Sequence, residues 1–167
     1  MRFCPDCGLE LKEELNYEKA IKKCQCGYTD WDNWVNVSTV VVCYNFKNEF
    51  MMVRLKGREK DKITFPGGYR DLGETLEEAA KREFFEETGY EIDNLKLFKV
   101  YNRDDIRLIW IVFTANLCGG QFIENSETEE VLLYSRNNLP NIEDLRGELT
   151  KKLLNDILLD KNNNDNM

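Results

Sequence analysis

Four of the six cysteines fall within the first 26 residues, as Cys4-Pro-Asp-Cys7 and Cys24-Gln-Cys26. Each pair is followed at once by a glycine, Gly8 or Gly27. A cysteine turn closed by glycine wraps tightly round a metal, because glycine permits a positive φ just after the ligand. Two such turns at the ends of a small hairpin supply the four thiolates of a tetrahedral zinc site. A segment of about 30 residues buries too little apolar surface to hold itself together, so a metal staple is physically reasonable there. Residues 1–30 are therefore read as a zinc-ribbon-like segment with Cys4, Cys7, Cys24 and Cys26 as zinc ligands. A disulfide pair or unrelated free thiols are the alternatives, and a cytosolic setting argues against disulfides. The second pair is Cys-x-Cys where Cys-x-x-Cys is usual, so the reach of its two sulfurs is the point to check. Cys43 and Cys118 sit in apolar, strand-like runs and are read as buried small hydrophobes.

The rest of the chain is long enough for an ordinary domain. Of 167 residues 42% are hydrophobic, which supplies a core. No apolar run approaches the roughly 18 residues of a membrane-spanning helix. The opening MRFCPDCGLE has no apolar signal core, so a cytoplasmic protein without membrane attachment is expected. With 23 basic and 31 acidic residues the net charge is −8, which disfavours a nucleic-acid partner. There is no histidine. Every mechanism built on a histidine base or ligand is thereby excluded, and acid–base chemistry falls to carboxylates, Lys, Tyr, Cys or metal-bound water.

Residues 31–37 join the cysteine segment to the second domain, 36–160. Trp31 and Trp34 are placed either between the two parts or over the second core. Ser38–Tyr44 and Phe50–Leu55 read as strands around the polar turn Asn45–Glu49. Ile63–Tyr69 is extended and broken by Pro66-Gly67-Gly68. Thr75–Thr88 reads as a helix opened by a capping box, Thr75 with Glu78, and stopped by Gly89. Leu95–Tyr101, Leu108–Ala115 and Glu130–Tyr134 are further strands. Leu149, Leu153, Ile157 and Leu158 share a face of a C-terminal helix, with Leu154 at its edge. The polar tail 161–167 is expected to be disordered. This order predicts an α/β/α sandwich round a mixed sheet.

On the central helix, Glu83, Glu86 and Glu87 share one face within about one turn. Like charges so spaced repel unless neutralised, and hard divalent cations prefer carboxylate oxygens. Gly67-Gly68, just before the helix, leaves room for a backbone carbonyl to approach the same ions. An ordinary solvated acidic helix is the alternative, and Glu77, Glu78 and Glu91 are read that way. Phe85 lies opposite the apolar edge, a place for the ribbon, for a second subunit in a homodimer, or for plain exposure.

The whole stretch GGYRDLGETLEEAAKREFFEETGY, Gly67 to Tyr90, resembles the signature of the Nudix hydrolases. Gly68, Glu74, Arg82, Glu83, Phe84, Glu86, Glu87, Gly89 and Tyr90 fill its specified places in register. Phe84 and Tyr90 stand where aliphatic residues are usual. Phe65-Pro66 before the box, and Glu129-Glu130-Val131 through Leu139-Pro140 after it, also resemble the family. The resemblance implies a Nudix fold over residues 36–160. It implies magnesium or manganese held by Glu86 and Glu87, with Glu83 and the Gly67 carbonyl completing the cluster. It implies a base role for Glu83 or a glutamate on a later loop, and a structural pairing of Glu74 with Arg82. The activity implied is hydrolysis of the diphosphate bridge of a small molecule, a nucleoside diphosphate linked to a group X. A ribbon before such a domain is also similar to the NADH pyrophosphatases, but nothing after Tyr90 resembles their Ser-Gln-Pro-Trp-Trp-type signature. Arg58, Tyr101, Arg103, Arg107 and Trp110 are candidates for phosphate or base contact, or ordinary surface and core residues. The alternative from another class is a catalytically weak Nudix-fold binding or regulatory protein whose ribbon contacts a protein or nucleic acid. Retention of all the box glutamates favours the enzyme.

Overall fold

The computed structural model describes residues 2–160. The tail expected to be disordered, 161–167, lies outside the described residues. The chain divides into two compact units, Met1–Val35 and Asn36–Met167.

The first unit is a three-stranded sheet, β1 (Lys12–Asn16), β2 (Lys19–Lys23) and β3 (Thr29–Asp30), in that order. Its hydrophobic cluster consists of Cys4, Leu11 and Cys24 with Tyr28 packed against them. Two of the cysteines are thus themselves the core. Trp31 and Trp34 are 49% and 57% exposed.

The second unit is built on a mixed sheet. Its strands are β4 (Asn36–Tyr44), β5 (Phe50–Leu55), β6 (Ile63–Thr64), β7 (Gly67–Tyr69), β8 (Tyr90–Arg103), β9 (Leu108–Gly120) and β10 (Thr128–Tyr134). Helix α1 (Leu76–Thr88) precedes β8, and α2 (Gly147–Leu159) follows β10. The main order is β10-β5-β4-β9-β8. β4 and β9 pair in parallel from Asn36↔Leu108 to Tyr44↔Asn116, and the other ladders are antiparallel.

Side chains alternate across β4, as the pleat requires. Val40 and Val42 join Phe50, Met52, Val112, Leu153 and Ile157 on the α2 side. Val41 and Cys43 join Ala80, Phe84 and Phe113 on the α1 side. Both faces of the sheet are therefore buried, which makes the β-branched run of β4 the centre of the sandwich. β5 meets β4 only at Phe50↔Tyr44, while β7 pairs with Ser38–Val40. The switch of partner sets Gly67 and Gly68 beside the central strand.

Three readings change. β8 starts at Tyr90, ahead of the expected Leu95, and its register shifts at three places opposite β9. β8 is an edge strand, and the bulges break the alternation that would have revealed its first half. Cys118, expected to be buried, is exposed, because β9 runs on past its last buried residue, Ala115. Cys43 is buried as expected. Leu154, expected at the edge of α2, is as well covered as its neighbours at 5% exposure.

Candidate metal centres and active site

The cysteine turns come first in the chain. Gly8 and Gly27 have φ of +74° and +101°, the left-handed conformation their positions call for. The Gly8 N–H donates to the Cys4 carbonyl at 2.9 Å, and the Gly27 N–H to the Cys24 carbonyl at 3.0 Å. The shorter Cys-x-Cys turn is thus one residue tighter yet closes in the same way. Sγ of Cys4 lies 3.5 Å from Cys26, and Sγ of Cys7 lies 3.4 Å from Cys24. All four sulfurs fall within 4.8 Å of one another. These separations are far longer than the ~2.05 Å of a disulfide. They approach the roughly 3.8 Å edge of a tetrahedron of thiolates at ~2.3 Å from zinc. The donor set fits a soft four-sulfur site.

In the second unit the capping box forms as expected. The Glu78 N–H donates to Thr75 Oγ1 and the Thr75 N–H to Glu78 Oε2. Glu78, read both as the partner of Thr75 in the cap and as an ordinary solvated acid, has the first of these tasks. The helix ends at Gly89 in the left-handed region (φ +73°), whose N–H donates to the Phe85 carbonyl. A Cβ on Gly89 would also run into Ile123, so the stop signal doubles as a packing requirement.

Arg82 joins the box together. Its Nε and Nη2 donate to the two Glu74 oxygens at 3.1 and 2.7 Å, and Nη2 also reaches the Tyr69 carbonyl at 3.0 Å. Its Nη1 donates to Glu83 at 2.8 Å and Glu86 at 3.1 Å. The guanidinium holds the Glu74 carboxyl down at about 2. The resemblance-implied Glu74–Arg82 pair is present, and the same arginine also spaces two of the three helix carboxylates.

Glu87 is held differently. Its Oε2 accepts the Gly67 N–H at 2.9 Å, and burial pushes its pKa up to about 8. Burial also raises Glu83, against the opposing pull of Arg82. Gly68 packs so close to Glu83 that a Cβ there would stand 2.7 Å from Oε1. The glycine pair therefore brings bare backbone against the carboxylates, as the spacing suggested, although the contact seen runs through the Gly67 N–H.

Glu83, Glu86 and Glu87 line a cavity of about 200 Å³ with Asn125, Ser126 and Glu127. The last three were not singled out in the sequence. Asn125 Oδ1 accepts the N–H groups of Glu127 and Thr128 at 2.9 and 2.7 Å, and Nδ2 donates to the Glu87 carbonyl at 3.0 Å. This side-chain turn ties the β9–β10 loop to the end of α1 and sets Glu127 facing the helix carboxylates. Asn-Ser before a strand is a turn signal, but nothing local says which helix the turn meets. Crowded carboxylates, two of which (Glu83 and Glu87) are part-buried with raised pKa values, supply hard oxygen donors that fit a divalent cation.

Of the residues considered for phosphate or base contact, Arg103 and Trp110 line a second cavity of about 310 Å³, which Gly67 and Gly68 also line. Tyr101 is buried and donates to Asp156 at 2.6 Å. Arg58 lies in a short 3-10 turn, and Arg107 closes another in the left-handed region. Phe85 is 46% exposed. Among the described residues no helix is long and apolar enough to cross a membrane.

Known proteins resemble this architecture. The NudC NAD-capped RNA hydrolase of Vibrio atlanticus is 25% identical over 156 residues, 92% of this chain and 56% of that protein. The ADP-ribose pyrophosphatase of Methanocaldococcus jannaschii is 33% identical over 100 residues, 57% of this chain and 59% of that protein. The chain thus spans less than two thirds of the length of either relative. A crystal structure of a NUDIX hydrolase from Nitrosomonas europaea superposes with a TM-score of 0.77 at 23% identity. It covers 92% of this chain and 88% of its own. The NUDIX domain family model matches residues 34–153, and with the box residues gathered round Arg82 the chain belongs to that family.

Proposed function

We propose that the chain is a magnesium- or manganese-dependent hydrolase that cleaves the diphosphate linkage of a nucleoside diphosphate joined to a second group X. The observation that carries this reading is the convergence of Glu83, Glu86, Glu87 and the loop residue Glu127 on one cavity bordered by the glycine strand. The relatives named for NAD-capped RNA and ADP-ribose support a nucleotide-derived diphosphate substrate.

Glu86 and Glu87 are the chief candidate cation ligands, with Glu83 and the Gly67 carbonyl beside them. When bound, divalent cations neutralise the diphosphate, polarise its P–O bonds and make water acidic enough to attack near neutral pH. Glu83 or Glu127 takes the proton from the attacking water, as a bond from water oxygen to phosphorus forms and the bridging P–O bond breaks. Arg82 keeps Glu83 and Glu86 apart and correctly turned, and Glu74 fixes Arg82. Gly68 leaves space for Glu83, and Gly89 ends the helix so that Asn125 can reach it. In the first unit Cys4, Cys7, Cys24 and Cys26 hold a structural zinc.

The test is product release from ADP-ribose, dinucleotides, nucleotide sugars and nucleoside triphosphates, each with and without magnesium. Cleavage that needs the cation and is lost in Glu86→Gln and Glu87→Gln is expected. Binding without turnover across the panel would overturn the reading.

A further inference from the structure

Helix α1 covers one side of the mixed sheet and turns a second face away from the carboxylate cavity. On that face Lys81, Arg82 and Phe85 border a groove of about 500 Å³, whose other walls are Glu91 and Ile92 of β8 and Cys118 of β9. We propose that this groove is the centre of a two-fold interface between two copies of the chain. Phe85 of each copy sits in the groove of the other, and Lys81 faces the partner's Glu91.

Two observations carry it. The first is apolar surface that the fold leaves uncovered. Phe85 is 46% exposed at the mouth of the groove. The apolar surface continues along the edge strand. Leu97 and Val100 stand opposite Phe113 and Ile111 in the β8–β9 ladder, and directly opposed residues point to the same side of a sheet. Phe113 and Ile111 belong to the α1-side cluster, so Leu97 and Val100 lie on that side as well. They are 63% and 48% exposed. One exposed apolar residue is ordinary, whereas a groove continued by a strip on an edge strand is the pattern of an association surface. A stable interface buries about 800 Å² on each partner, more than a single aromatic ring supplies, and the strip gives it room to extend.

The second observation chooses a second copy as the occupant. Lys81 stands one turn before Phe85 on α1, and Glu91 stands just past the Gly89 stop on the other side of Phe85. Both are exposed, and neither has an ion-pair partner among the described residues. The charge on the face therefore changes sign across its apolar centre. A two-fold axis near Phe85 reverses the helix direction, so the positive side of one copy meets the negative side of the other. An isologous interface has to be self-complementary in this way, and a face of one sign would repel its own copy.

The arrangement leaves both catalytic cavities open. Phe85 is two residues from Glu83 and from Glu87, about 160° round the helix from each. The groove and the carboxylate cavity have no lining residue in common.

Sedimentation equilibrium of the full chain over a range of concentrations tests the proposal, and a monomer–dimer equilibrium is expected. Phe85→Glu should weaken it about 100-fold or more, because it sets two unpaired charges at the axis. Lys81→Glu alone and Glu91→Lys alone should each weaken it about 10-fold by opposing like charges. The double variant Lys81→Glu with Glu91→Lys exchanges the signs and should return to within about 3-fold of the parent, which mere surface damage would not predict. All three side chains are exposed, so thermal melts of the variants should report folded protein. A monomer at every concentration, a dimer that Phe85→Glu leaves intact, or a double variant no tighter than the single ones would overturn the proposal. A monomer in which Phe85→Glu shifts the amide signals of residues 2–35 would overturn it in favour of that segment. Sedimentation reads association alone, so its result stands whether or not the chain hydrolyses a diphosphate.

Discussion

The cysteine unit and the carboxylate cluster answer the same electrostatic problem in opposite ways. Both gather acidic side chains whose joint ionisation is costly without a cation. In the first unit two of the four candidate ligands, Cys4 and Cys24, belong to the small hydrophobic cluster. In the second unit the carboxylates lie on the rim of a domain with a separate core on each side of its sheet. Their repulsion is already moderated by Arg82 and by the Gly67 N–H. On the proposed reading, a metal in the small unit would serve folding, whereas one at the rim of a domain with its own core would be free for chemistry.

The strongest way to break this comparison is to remove zinc. Apparent zinc affinities of such sites amount to about 10–16 kcal/mol, more than so small a unit has from any other source. A zinc-selective chelator should collapse the amide dispersion of residues 2–35 and leave that of residues 36–160 intact. Cys26→Ser should be as damaging as Cys7→Ser, because the shorter turn brings its sulfur equally into the cluster. Protein prepared without chelator should contain about one zinc per chain with four sulfur ligands. An unchanged spectrum after chelation, or a disulfide within the quartet, would defeat the structural-zinc reading.

The converse holds for the carboxylates. Glu86→Gln and Glu87→Gln should each lower magnesium-dependent turnover by about 100-fold or more, since each removes a ligand charge at the reacting centre. Thermal melting should stay close to that of the parent protein. Near-normal turnover in both variants would remove these residues from the active site.

The pH dependence of stability sharpens the same contrast. Burial raises Glu87 from an ordinary 4.5 to about 8. A carboxyl whose folded pKa is raised favours the folded state while protonated, so stability is lost as pH rises from about 4.5 towards 8. Denaturant melts of the metal-free protein should show this fall. Magnesium should oppose it by binding the charged form, and Glu87→Gln should largely abolish it. A flat profile for the metal-free parent protein over that range would show that Glu87 is better solvated than its surroundings suggest.

Arg82→Ala should cost about 2–3 kcal/mol, because it strands Glu74 and Glu83 without their partner. The guanidinium is 30% exposed and Glu74 17%, which places the pair between a surface and a fully buried one. The melting temperature should fall by roughly 5–10 °C, with activity lost as well. The smallest effect belongs to Cys118→Ser, at the exposed end of β9, which should change stability by less than about 0.5 kcal/mol.

Much of both sites was legible in linear spacing. The Thr75–Glu78 cap, the Gly89 stop, the common face of Glu83, Glu86 and Glu87, and the glycines after each cysteine pair are local features. Helix periodicity and backbone conformation determine them within a few residues, so the sequence alone specified them. The folded chain decided what depends on distant segments meeting. Asn125 reaches Glu87 across 38 positions, bringing Ser126 and Glu127 to the carboxylates. Trp110 lines one cavity with Gly67 and Gly68 because β4 pairs with β7 on one side and β9 on the other. The exposure of Cys118 follows from where β9 outruns its core, and the bulges of β8 from its place at the sheet edge. Side-chain spacing says which residues share a face, whereas which faces meet is settled by the topology that buries both sides of the sheet.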